Sequence, residues 1–133
     1  MEQYQPKYDP ERSRQVAAAI ATNQIPFLKW PSLEESAETV NIYQRLQSVG
    51  QEQIEKVFDR VFYHIFYSSR NRDRDQPMLE DRLGLKDGRI HTLLEVTDKF
   101  GFMGPAVTQN IQDDLLRKLR NYPNVDIIKE LVK

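Results

Sequence analysis

Between Ile54 and Tyr67 the apolar residues Ile54, Val57, Phe58, Val61, Phe62, Ile65 and Phe66 recur at steps of three and four. That rhythm gathers them onto one broad face of a helix, and a face carrying three phenylalanines must be buried against other elements. A 133-residue chain has room for one domain with a real core and is too short for two of ordinary size. The sequence therefore predicts one helical domain over residues 9–133, preceded by a flexible polar leader over residues 1–8.

The same periodicity recurs along the chain. Asp9 followed by Pro10 predicts the start of a first helix running to about Thr22, because the carboxylate caps the opening turn and proline at the first position loses no bond. Its Val16, Ala17, Ala18, Ala19 and Ile20 form a narrow stripe suited to close packing. Ser32 and Glu35 have the spacing of a capping box, and Leu33, Ala37, Val40, Tyr43 and Leu46 continue a second helix that Gly50 is placed to end. The central helix spans about 51–68, and the short connection makes it the antiparallel neighbour of the second. Residues 68–76 lack apolar side chains and read as a solvated loop.

Asp75 and Pro77 start a short helix through Leu83, and Asp87 caps another from about Arg89 to Lys99 with Ile90, Leu93 and Leu94 facing inward. After Gly101 and Pro105, Val107, Ile111, Leu115, Leu116 and Leu119 mark a further helix, and Asn124 caps a last one. No stretch alternates strictly between turn signals, so no sheet is expected. The predicted fold is all-α: a compact bundle of five to seven helices with short connections, including a helix-turn-helix pair at about 76–99.

Chemistry is poorly signalled. With no cysteine, disulfides, thiolate catalysis and cysteine-ligated zinc are excluded. The only two histidines, His64 and His91, have no acidic partner at metal-pair spacing. No catalytic activity, metal or cofactor is expected. The balance of 39% hydrophobic and 29% charged residues is that of a globular chain, no apolar run reaches the roughly 20 residues of a membrane helix, and the N-terminus lacks the pattern of a secretory signal. A cytoplasmic protein without a membrane partner is the expectation. A formal charge of −1 gives no global field for nucleic acid.

Two binding surfaces are readable. One is apolar: Phe27, Leu28 and Trp30 between two prolines, and Phe100, Phe102 and Met103 before Pro105, lie in segments read as non-helical, and aromatics and methionine are enriched at interface centres. These residues point to a protein partner, with a homodimer as one form of it. The alternative is DNA. Leu79, Gly84 and Ile90, with Leu83, Leu85 and Leu93, have a spacing that resembles bacterial helix-turn-helix regulators over about 76–96. Lys86, Arg89, His91 and Thr92 would then face bases or phosphates, and Arg70, Arg72 and Arg74 would flank them as phosphate contacts. Against that stands Glu80, where the pattern usually has alanine or glycine, since a carboxylate is costly to bury.

Overall fold

Helix α1 (Pro10–Ala21) begins as its sequence requires: the Asp9 side chain accepts the Arg12 amide and Pro10 occupies the first position. The computed structural model describes residues 4–22 and 37–133. Within them follow α2 (Ala37–Leu46), α3 (Gln51–Phe66), α4 (Arg72–Leu83), α5 (Leu93–Phe100), α6 (Pro105–Leu119) and α7 (Tyr122–Lys129), with a closing 3₁₀ turn at Glu130–Val132. Among the described residues there is no strand, and the chain is an all-α bundle. The proposed capping box at Ser32 and Glu35 lies outside the described residues.

The core is organised by α3. Ile54, Val57, Phe58, Val61, Phe62, Ile65 and Phe66 are all buried, and Phe58, Phe62 and Phe66 follow one another along the helix in a tilted and an edge-on contact, with ring centroids 5.8 and 6.2 Å apart. Burying a phenylalanine side chain contributes roughly 1.5–3 kcal/mol. Helix α1 is more deeply enclosed than a narrow stripe implies, because Val16, the alanines 17, 18, 19 and 21, and Ile20 are all buried. It packs against α2, α3 and α7, and methyl-sized side chains let three neighbours approach one helix closely.

Several boundaries differ from the sequence reading, each for a local reason. Gly50 is extended, with φ −65° and ψ 146°, and stands before α3 rather than ending α2 in a left-handed turn. Helix α4 starts at Arg72, within the stretch read as a loop. Asp73 and Asp75 occupy its first turn, where carboxylates favour the positive end of the helix dipole, and Arg72 Nε donates to Gln76 Oε1 at 2.7 Å one turn on. Pro77 is then accommodated inside the helix. Helix α6 buries Thr108 and Gln112 and leaves Val107 exposed, a rotation of the expected stripe. Its Thr108 hydroxyl meets that of Thr97 on α5 at 2.7 Å. Helix α7 begins at Tyr122 after Asn121, and Asn124 is buried inside it rather than capping it.

The segment read as a leader is tied down where it is described. Tyr8 is buried against Phe58, edge to face at 5.6 Å. The Lys7 and Tyr8 amides donate to Glu55 on α3 at 3.1 and 3.2 Å, as does the Tyr4 hydroxyl. Gln51 Nε2 completes the set at 2.8 Å, so a carboxylate only 1% exposed has its lone pairs satisfied. Burial pushes the Glu55 carboxyl up, but the bonds from Tyr4, Gln51, Lys7 and Tyr8 outweigh it and hold the group below its usual range.

Candidate functional site

The corner between α4 and α5 is where the sequence places a DNA-reading pair. The helices are present and pack together, but the second begins at Leu93 rather than Arg89. Thr92 is its cap: Thr92 Oγ1 accepts the Glu95 amide at 3.1 Å and Glu95 returns a bond to the Thr92 amide, which closes a capping box. The connection is consequently residues 84–92, longer than the three- or four-residue turn of a helix-turn-helix. Gly84 turns the chain out of α4 at φ 71°, where a Cβ would come within 3.0 Å of the Arg89 carbonyl carbon.

Because the helix starts late, its inward face also shifts. Val96 and Thr97 are buried, Ile90 and Leu93 are half-buried, and Leu94 is exposed. Lys86, Arg89 and His91 precede the helix and have local partners. Lys86 Nζ lies 3.5 Å from Glu80, Arg89 pairs with Glu95 at 3.1 Å, and His91, which the sequence reading left without an acidic partner at a helical spacing, stands between Asp87 at 2.8 Å and Glu95 at 3.4 Å, four residues to either side. The Asp87 carboxyl feels burial upward, yet the Arg89 amide and His91 lower it below the usual range. The His91 amide donates to the Asp81 carbonyl at 3.1 Å, and its own carbonyl accepts from Arg82 Nη1 at 2.6 Å.

Glu80, the residue that departs from the helix-turn-helix pattern, explains the corner. Its buried carboxylate accepts the hydroxyl of Tyr8, which reaches it from the N-terminal segment. Nearby, the Asp9 amide donates to the Leu85 carbonyl at 2.6 Å and Arg12 Nε to the Leu83 carbonyl at 2.8 Å. Tyr8, Asp9 and Arg12 thus tie the N-terminal segment to the end of α4 and the start of the corner.

The arginine series is divided by the start of α4. Arg70 is exposed in the turn before it, Arg72 is bound to Gln76, and Arg74 pairs with Asp75 at 3.0 Å while its guanidinium covers the Phe102 ring at 4.4 Å. Of the apolar residues proposed for protein binding, Phe27, Leu28 and Trp30 lie outside the described residues. Phe102 is buried under Arg74, Phe100 is half-buried beneath Lys99 at 5.2 Å, and Met103 is 96% exposed. Gly101 explains that split: it ends α5 at φ 73°, which turns Phe102 inward and leaves Met103 at the apex. Leu94 and Val107, on the two helices that this turn joins, are exposed as well.

Sequence reasoning missed a second region, at the C-terminal ends of α3 and α6. Two clefts of about 320 and 350 Å³ meet there and share Ser68 and Lys118. Only polar residues without a motif signalled them, and these become a site only when α6 and α7 are folded against α3. Among the described residues no group of three or more His, Asp or Glu side chains is placed to hold a metal, and no helix is long and apolar enough to cross a membrane. Comparisons with protein-family models, with curated proteins and with solved structures find no match to this chain.

Proposed function

We propose that this chain is a non-catalytic, cytoplasmic helical protein that binds another protein, as a regulator, adaptor or assembly factor. The observation that supports the reading is Met103, 96% exposed at the apex of the α5–α6 turn. It stands between two helices that also expose Leu94 and Val107. Methionine is flexible and polarisable and adapts to varied apolar partners, and the buried Phe102 beneath the turn gives it a fixed base. A second copy of the chain would cover the same residues in a symmetric dimer. The DNA reading has less support, since Lys86, Arg89 and His91 precede α5 and are engaged by carboxylates.

The test is affinity capture from the native cell at low and high salt, with wild-type bait and with Met103→Lys. The expected result is a protein in fixed ratio that persists at high salt and falls at least about tenfold, or about 1.4 kcal/mol, with the variant. Nucleic acid captured only at low salt and lost with Arg89→Ala would replace this reading with the DNA one, because phosphate contacts weaken steeply as salt rises.

A further inference from the structure

We propose that residues 4–9 form a clasp that ties α3 to the end of α4 and opens as one unit on a folded bundle, with the carboxylate of Glu55 as its catch. The clasp does not depend on the protein-binding reading. At one end, on α3, Glu55 accepts the hydroxyl of Tyr4 and the amides of Lys7 and Tyr8, the latter two at 3.1 and 3.2 Å. Lys7 Nζ pairs with Asp59 at 2.5 Å along the way. At the other end the Tyr8 hydroxyl donates to Glu80 on α4, and the Asp9 amide to the Leu85 carbonyl at 2.6 Å.

Two observations make this segment separable from the bundle. The first is the kind of bond that holds it. Among the described residues, 4–8 make no backbone-to-backbone hydrogen bond, so every polar anchor before Asp9 ends on the carboxylate of Glu55, Asp59 or Glu80. The second is how little apolar surface the segment buries. Residues 4–7 are exposed, and Tyr8 alone is buried, edge to face against Phe58 at 5.6 Å, whereas α3 buries its whole apolar stripe. A unit with few buried contacts opens at a lower free energy than the core beneath it.

Glu55 is the catch because three of the segment's donors meet on it. An ionised carboxylate only accepts, and here Oε1 serves Tyr4 and Lys7 while Oε2 serves Tyr8 and Gln51. Protonation would turn one of those oxygens into a donor facing donors. The neighbouring charges are Glu52, which Lys56 faces, Asp59, which Lys7 holds, and Glu80 with Lys86 beyond Tyr8; Arg14 reaches Glu55 only through Gln51. Burial pushes the Glu55 carboxyl up, but its bonds hold it below the usual range. The Tyr4 hydroxyl, chiefly through its bond to Glu55, is pushed up to about 12 and stays a donor. A carboxyl lowered in this way stabilises the closed clasp above the usual carboxylate range and ceases to do so as pH falls through its own, lower value. Opening uncovers Phe58 and leaves the Glu80 carboxylate with Lys86 alone.

The experiment is amide hydrogen exchange on the full chain, read at Lys7, Tyr8, Asp9, Phe62 and Glu95 in wild type, Glu55→Gln and Tyr4→Phe. In Glu55→Gln, exchange at Lys7, Tyr8 and Asp9 is expected to quicken by a common factor of about ten or more, with Phe62 and Glu95 unchanged. Asp9 is decisive, because its amide bonds to Leu85 and to neither Glu55 nor Tyr4. Tyr4→Phe alters a side chain 44% exposed, so the bundle stays folded, and the same three amides should quicken together by about threefold. In wild type, acidification below the usual carboxylate range should open these amides ahead of Phe62, after correction for intrinsic rates. Faster exchange at Lys7 and Tyr8 with Asp9 unmoved, in either variant, overturns the single unit. Equal acceleration at Phe62 in Tyr4→Phe or in acidified wild type overturns its separation from the bundle.

Discussion

Helix α3 draws its burial from its own period, whereas the corner at Glu80, Leu83 and Leu85 is held by partners more than 70 positions away. In α3 every residue of the predicted apolar stripe is buried, and any neighbour able to cover that face would have satisfied it. At the α4–α5 corner, Leu79, Leu83 and Leu85 are buried as their apolar character demands, yet the geometry around them is set by polar groups. Tyr8 takes up Glu80, Arg12 takes up the Leu83 carbonyl and Asp9 the Leu85 carbonyl. Apolar spacing states which side of a helix is covered, because the hydrophobic effect has no direction. Hydrogen bonds do have direction, and which of several eligible partners meet is a property of the assembled chain.

Three tests sharpen this contrast. The largest effect is expected from Phe62→Ala, which removes a fully buried ring in contact with Phe58 and Phe66 and should cost about 3–5 kcal/mol in urea unfolding. A loss below about 1 kcal/mol would mean that α3 is not the centre of the core.

Tyr8→Phe tests the corner. It keeps the ring against Phe58 but leaves the buried Glu80 carboxylate with Lys86 alone, and a loss of about 1–3 kcal/mol is expected. Combining it with Glu80→Leu should recover part of that loss, since replacing both polar partners is cheaper than orphaning one. Additive losses in the double variant would break the assignment.

The smallest effect separates two eligible caps. Thr92→Ala should cost about 1 kcal/mol and speed hydrogen exchange at the Glu95 amide, which the Thr92 hydroxyl holds. Asp87→Ala should leave that amide protected. Faster exchange at Glu95 in the Asp87 variant would restore the earlier helix start.

Both outcomes of the sequence reading are visible at α5. The Thr92 and Glu95 spacing is a capping box that sequence alone contains, and it competes with Asp87, an equally acceptable cap by residue type. Asp87 is instead bound to the Arg89 amide and to His91, and His91 is fixed by Asp81 and Arg82 across the corner. The candidate sites divide in the same way. Methionine and phenylalanine in the 100–103 turn were readable as apolar residues between helices, but the glycine geometry that sends Phe102 inward and Met103 outward needed the fold. The clefts at the ends of α3 and α6 were not readable at all, because Ser68, Asn110 and Asn124 come from three separate elements and resemble ordinary surface residues in the sequence.

The sequence by itself determined that this chain is a helical bundle, that α3 buries one broad apolar face in its core, and that Asp9 with Pro10 opens α1. Each follows from interactions within a few residues: side-chain period, a capping carboxylate, the missing amide of proline. Tertiary structure alone decided that residues 4–8 fold onto Glu55 and Glu80, that residues 84–92 form a long corner instead of a tight turn, and that Asn124 ends beside a cleft. Those outcomes depend on which buried polar group finds which donor across the chain, and a polar side chain carries no mark of its distant partner in the sequence around it.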